Sequence, residues 1–299
     1  MDTMRRPEVD EALCTGCGTC VTDCAPRLRL AGTEHVNPQD PRCERCFHCY
    51  AVCPVAAIEI SGSTGHDENH SKNGFSLDAL ALSRMLADRR SVRSYSGEAP
   101  SAAELSFMLE STRYIPSGGN SQDVTITIVS GAERHLALRS QVVGYYRRMI
   151  ALLRLPLLRP LAAALGPEKL RAALRDGNFY NKIRGMLGSD GGQDLVFYGA
   201  PLILIFHSKR SLPTPKEDCV LAAYNLVLAA HSIDIGTCFV SLAQQAIDAD
   251  ASCKRLIGLE RHERVHAVVV LGKRGIRHQR PAYREPKSVR LVQGTLSCL

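Results

Sequence analysis

From Ser61 to Gly74 the chain carries no apolar period. Turn formers follow one another there, and this polar stretch separates a cysteine-rich start from a longer segment whose hydrophobic positions recur at the spacing of helices and strands. In that segment Leu77, Ala81 and Met85, flanked by Leu82 and Leu86, form a stripe at helical spacing that stops at Arg89-Arg90-Ser91. Pro100 then leads into Ser101 and Glu104 at capping-box spacing, which predicts a second helix carrying Leu105, Met108 and Leu109. Val124 to Val129 alternates Thr with β-branched residues and reads as a strand, as do Leu202 to Phe206 and a last, buried run from Ala267 to Leu271. Thr214-Pro215-Lys216-Glu217 puts Pro at the first helical position and Glu three after the cap, so a long helix is expected to about Ile233. Helices mixed with few strands, without regular βαβ alternation or an internal repeat, place this segment in the α+β class. The expected layout is a small domain at 1–61, a linker at 62–75 and a larger domain at 76–299.

Composition narrows the picture in three ways. The 299 residues suffice for one small and one ordinary domain, and 45% hydrophobic with 22% charged residues is the balance of a folded globular protein. Only 5% of residues are aromatic and none is Trp, which argues against a single-strand nucleic-acid groove despite the net charge of +7, so no nucleic-acid partner is expected. Arg5 and Arg6 have no apolar run behind them, and the longest apolar stretch, Val196 to Phe206, is broken by Gly199 and Pro201 well short of the roughly 20 residues of a spanning helix. A cytoplasmic protein is the expectation. Charge is segregated: residues 1–60 hold six Lys or Arg against nine Asp or Glu, whereas residues 131–184 hold eleven against three. This basic, apolar insertion, about 131–190, contains Tyr145-Tyr146-Arg147-Arg148-Met149-Ile150 and reads as a helical lid over a pocket or a dimer partner. An amphipathic hairpin on anionic lipid is the competing, less favoured reading.

Chemistry enters with the cysteines. Cys14, Cys17, Cys20 and Cys24 are repeated in spacing by Cys43, Cys46, Cys49 and Cys53. Three cysteines at intervals of three let one short loop place thiolates on three corners of a cube, and the fourth cysteine of each run serves the other cluster. Cys14, Cys17, Cys20 and Cys53 are therefore assigned to one 4Fe-4S centre, and Cys43, Cys46, Cys49 and Cys24 to its partner. A zinc ribbon would call for two pairs rather than two triplets plus one. The pattern resembles the bacterial two-cluster ferredoxin from Val9 to Ile60, except that Ala25 separates Cys24 from the proline that usually follows it. Cys219, Cys238, Cys253 and Cys298 read as small buried or tail residues, and the ten histidines show no metal spacing.

The larger domain presents Arg89-Arg90-Ser91-Val92-Arg93, whose forked guanidiniums and hydroxyl suit a phosphate, although a solvated basic helix end has the same composition. Pro116-Ser117-Gly118-Gly119-Asn120-Ser121-Gln122 is a small-residue loop with amides that suit the edge of a planar ring, or else an ordinary glycine-rich turn. With Gly199-Ala200-Pro201, then Ile235-Gly236 and Leu271-Gly272-Lys273, the order and spacing resemble the FMN-dependent nitroreductase family across Ser76 to Val292.

The resemblance implies an α+β sandwich, bound FMN and an interwoven homodimer. It places the flavin phosphate and ribityl chain on Arg89, Arg90, Ser91 and Arg93, and ring contacts on Pro116, Ser117, Gly118, Asn120 and Gln122. Val240 and Ser241 fall beside the isoalloxazine, and Arg280 with Lys273 matches the C-terminal phosphate ligands. Asp123-Val124 and Phe239-Val240-Ser241 depart from the family's Pro-Trp and Trp-Ile-Gly. No catalytic side chain is assigned, because the flavin carries the reaction.

With no Gly-x-Gly-x-x-Gly fingerprint, the expected path runs from two one-electron clusters to FMN and on to a small organic acceptor such as a nitro compound or activated double bond. The external donor is reduced ferredoxin or NAD(P)H. Dehydrogenation or dehalogenation on the same flavin, and a redox relay or sensor serving protein partners, are the alternatives.

Overall fold

The computed structural model describes residues 5–61, 78–155, 194–209 and 211–290, with residues 164, 171, 174, 183 and 185. They fall into two compact units, one made of residues 5–61 together with Pro116–Gln122 and the other of the remaining described residues. The expected linker, Leu77, Cys298 and most of the basic insertion beyond residue 155 lie outside the described residues.

In the first unit, β1 (Pro7–Val9) pairs antiparallel with β2 (Ile58–Ile60), Val9 opposite Ile58. Between them lie two five-residue helices, α1 (Thr19–Asp23) and α2 (His48–Val52). Helices this short do not persist alone. They pack over a small core of Cys20, Val21, Leu28, Val36, Cys49 and Ile58. A shift of 29 residues relates the halves: Gly18 and Phe47 open the helices in left-handed conformation, and Cys24 and Cys53 close them in extended conformation. Gly16 and Arg45, then Arg27 and Ala56, are likewise left-handed at matching positions.

The second unit is a four-stranded antiparallel sheet of β3 (Thr125–Ser130), β4 (Leu202–Lys209), β5 (Ile235–Phe239) and β6 (Glu263–Lys273), in the order β3-β4-β6-β5. The central strands β4 and β6 are buried on both faces, hence their unbroken apolar runs. Side-chain alternation sends Ile203, Ile205, Val268 and Val270 to one core, and Leu204, Phe206, Val269 and Leu271 to another.

The first core is closed by α5 (Ala132–Leu153), α7 (Ser241–Ala249) and α8 (Ala251–Leu256). The second is closed by α4 (Ala102–Glu110) and α6 (Pro215–Ser232), whose Ala222, Ala223, Leu226 and Ala230 are fully buried. Helices on both faces of a sheet make this an α+β sandwich.

Three expectations are changed. On α5, Leu138, Val142, Tyr146 and Ile150 recur every fourth residue and are buried, and Tyr146 Oη donates to the Leu242 carbonyl at 2.9 Å. The start of the insertion is thus a core helix rather than a lid or a lipid-facing surface. The stripe on α3 (Ala79–Asp88) forms, but none of its residues is buried, and Leu80, Leu82 and Leu86 are exposed. The last strand is longer than its apolar run, because Glu263 to Val265 continue the pairing with β4 past an irregularity at Phe206/His207.

Candidate functional site

The first chemical site lies within the iron–sulfur-like unit. Cys14, Cys17, Cys20 and Cys53 line one small cavity, with Val9, Val55 and Ile58 among its apolar walls. Cys53 comes from the second cysteine run and the other three from the first. Its backbone follows from the residues at the rim: Gly16 and Gly18, either side of Cys17, take φ of 69° and 70°, which costs glycine nothing. Cys17 Sγ lies 3.3 Å from Thr19 Oγ1, and hydrogen bonding to Thr19 draws its thiol below the ordinary range.

In the second run, Cys49 lies close to thiols of both runs. Burial pushes Cys49 up to about 11, and the neighbouring thiolates of Cys46, Cys20 and Cys43 push the same way. Cys24 and Cys43 pack against the same small core. No cysteine among the described residues is in a disulfide. No group of three or more His, Cys, Asp or Glu among the described residues is arranged for a single metal ion. Four thiols around a mostly apolar cavity nonetheless suit an iron–sulfur cube, because each iron corner takes one thiolate and the charge of the set is offset by iron.

The second site is built on the edge of the sheet. Where α3 ends at Arg89, the chain turns and runs beside β5: Ser91 bridges Thr237, and Val92 N donates to Thr237 O at 2.8 Å. Alternation along this segment buries Val92, at 1% exposure, and leaves Arg89, Ser91 and Arg93 on the opposite side. Close approach requires glycine in β5, since a β-carbon on Gly236 would lie 2.9 Å from Val92 Cγ1.

The result is a cavity of about 130 Å³ lined by Arg89, Arg90, Ser91, Arg93 and Arg284, with no acidic side chain in its lining among the described residues. Four guanidiniums and a hydroxyl form a donor set for a phosphate or similar anion.

Neighbouring groups hold Arg93 in place. Its guanidinium carbon lies 5.7 Å from the centroid of the Tyr198 ring. Tyr198 is presented by a tight turn in left-handed conformation, φ 61°, that Asp194 ties down by accepting from the amides of Val196, Phe197 and Gly199. Burial opposes the charge of Arg93, but Cys238 and Tyr198 raise its pKa in balance. The Cys238 thiol is itself pushed up by burial, with Arg93 and Ser91 acting the other way.

The remaining expected residues are distributed differently. Val240 is buried in the α5/α7 core, and Ser241 begins α7 and is exposed. Lys273 ends β6, where its Nζ lies 2.5 Å from Glu104 Oε1 and helps hold that carboxyl at about 2. Arg280 is exposed and does not line the arginine cavity, whereas Arg284, four residues on, does. Pro116, Ser117, Gly118, Asn120 and Gln122 fall in the first unit, where Ser117 Oγ accepts from Gln122 N at 3.2 Å. Arg284 and Tyr198 carried no periodic or motif signal, because one sits in an irregular segment and the other in a turn.

Residues 86–273 match the model of the nitroreductase family, and residues 6–54 match that of the 4Fe-4S dicluster domain. The first unit therefore carries the ligand sets of two 4Fe-4S clusters. No curated protein matches the chain. Among solved structures, a nitroreductase with bound FMN from Desulfitobacterium hafniense is 20% identical, aligning over 73% of this chain and 100% of its own with a TM-score of 0.53. A nitroreductase with bound FMN from Bacteroides fragilis is 21% identical over 72% of this chain and 97% of its own, with a TM-score of 0.48.

Proposed function

Because the chain belongs to the nitroreductase family, we propose that it is an FMN- and iron–sulfur-dependent oxidoreductase passing electrons from its two 4Fe-4S clusters to FMN and on to an organic acceptor, such as a nitro compound or an activated double bond. The observation that carries the flavin half is the arginine cavity, which gathers Arg89, Arg90, Ser91 and Arg93 into one lining. In this reading those residues hold the flavin phosphate, with Arg284 closing the cavity in the place expected of Arg280. The fit is chemical: a dianionic phosphate meets forked donors, one of which, Arg93, lies over the Tyr198 ring.

FMN, when bound, supplies a store that accepts electrons singly and releases them in pairs. The protein's part is to fix the phosphate end and to deliver electrons from thiolate-held clusters. The external donor in this reading is reduced ferredoxin or NAD(P)H. A homodimer belongs to it as well, and the exposed Leu80, Leu82 and Leu86 of α3 are apolar surface for such a partner to cover. Among the described residues no helix is long and apolar enough to cross a membrane.

The test is anaerobic purification with iron, sulfide and flavin analysis, then dithionite reduction followed by addition of a nitroaromatic acceptor. Roughly eight irons and bound FMN per chain, with reoxidation by the acceptor, are expected. Clusters without flavin, even after FMN is supplied, would sink the proposal.

A further inference from the structure

The loop Pro116–Gln122 is flanked in sequence by α4 and β3, yet it belongs by contact to the first unit. Its anchor is one side chain. Asn120 Nδ2 donates to the Glu44 carbonyl at 3.2 Å and to the Arg45 carbonyl at 2.8 Å. Glu44 and Arg45 are the two residues between Cys43 and Cys46, so two of the three peptides of this ligand loop are tied at once. A peptide is planar, and fixing the carbonyls of residues 44 and 45 also fixes the N–H groups of Arg45 and Cys46.

The tie falls on the loop that needs it. Arg45 and Phe47 adopt φ of 53° and 59°, a steric cost that their counterparts Gly16 and Gly18 avoid in the first loop. Asn120 is itself left-handed, at φ 50°, a conformation asparagine tolerates better than most residues.

We infer that Asn120 is a positioning residue for the cluster held by Cys43, Cys46, Cys49 and Cys24, and that this cluster is the electron outlet of the iron–sulfur unit. From the Arg45 carbonyl, bonded atoms run through the Asn120 amide and along the chain to Asp123 and the start of β3 at Thr125. From the cluster held by Cys14, Cys17, Cys20 and Cys53 the chain leaves instead through β2 and the whole stretch 62–77. Cys17 and Cys46 are both exposed, but beside the first cluster the rim also exposes the apolar Leu13 and Val55, and that cluster is the inlet. This order of the clusters rests on the proposed flow of electrons to a flavin.

The experiment compares full-length, anaerobically isolated protein with its Asn120→Gly and Asn120→Asp variants. Glycine keeps the left-handed backbone and removes the amide, whereas aspartate keeps the shape but turns an acceptor toward two carbonyls. Iron content, the midpoint potential of each cluster by EPR-monitored titration, and the rate of flavin reduction after the clusters are reduced are the readouts. Cys17→Ser identifies the signal of the inlet cluster.

Full iron content is expected in both variants, with the midpoint of the outlet cluster moved, further by aspartate than by glycine. The inlet midpoint should stay put, and flavin reduction should slow several-fold. Wild-type midpoints in Asn120→Asp, or a shift on the signal that Cys17→Ser identifies, would overturn the positioning role. A moved outlet midpoint with an unchanged rate would overturn the outlet assignment. Absence of flavin would sink the reading of the larger unit while the midpoints still decide the role of Asn120.

Discussion

Replacing Arg89 with alanine tests the phosphate reading most directly. Arg89 is half-buried at the end of α3, and its contribution to that helix end is a backbone bond, N–H to the Met85 carbonyl at 3.2 Å, which alanine retains. The substitution thus removes a guanidinium from the cavity without removing the cap. A charge-assisted hydrogen bond to a phosphate contributes about 1.5–3 kcal/mol, which corresponds to a roughly 10- to 150-fold weaker affinity for FMN. Arg284 lines the same cavity from an exposed segment, where pairing is screened by water, and its loss should cost under about 1 kcal/mol, or up to roughly fivefold.

Affinities of flavin-stripped protein are read by quenching of flavin fluorescence, with riboflavin as the control that has no phosphate. Both variants should bind riboflavin as the unaltered protein does. Arg89→Lys should fall between, since it keeps the charge and loses the fork. Equal loss of FMN and riboflavin in Arg89→Ala would refute phosphate recognition at this cavity, as would a larger effect from Arg284 than from Arg89.

Cys53→Ser should abolish the cluster shared with Cys14, Cys17 and Cys20 and leave the other, so that iron falls from roughly eight to roughly four per chain. A surviving first cluster, judged by EPR against Cys17→Ser, would break the crossed assignment. Gly272→Ala would place a β-carbon 2.4 Å from Pro201 Cδ and 2.6 Å from Pro201 Cγ, and should destabilise the sheet by about 1–3 kcal/mol in urea unfolding followed by circular dichroism. A loss under about 0.5 kcal/mol would mean that the Pro201 ring moves aside without cost.

The pKa of His231 is held below its ordinary value by burial and then by Arg274, whose Nη2 lies 2.8 Å from Nδ1. The unfolded chain therefore takes up a proton that the folded one resists. The stability His231 contributes is complete above about pH 6.5 and lost as pH falls through its folded value, so His231→Gln should flatten the decline of the urea midpoint below pH 6.5. An unchanged slope would remove His231 from the acid response.

What the sequence made legible was whatever is written locally. The two cysteine loops were readable because each is built from residues within a few positions of one another. The Ser101–Glu104 capping box was readable for the same reason, and both of its bonds are present, at 3.2 and 2.8 Å. Strands β4 and β6 announced themselves because burial on both faces leaves no polar positions to interrupt them.

The missing parts depend on partners far along the chain. β5 is five residues with Gly236 in it, a poor strand by composition, and it exists because Val92 and β6 lie against it. The polar start of β6 is a strand because β4 pairs with it, not because its side chains alternate. Arg284 and Arg280 are indistinguishable in type and differ only in where an irregular segment carries them. Asn120 is the sharpest case: its residue type and its left-handed backbone both fit a turn, and only a contact across 75 residues turns that loop asparagine into the clamp on a cysteine loop. The same contact explains how Arg45 and Phe47 can stand where the first loop uses glycine. A substitution in one cysteine loop that the repeat alone would count against the fold is thereby compensated from outside the repeat.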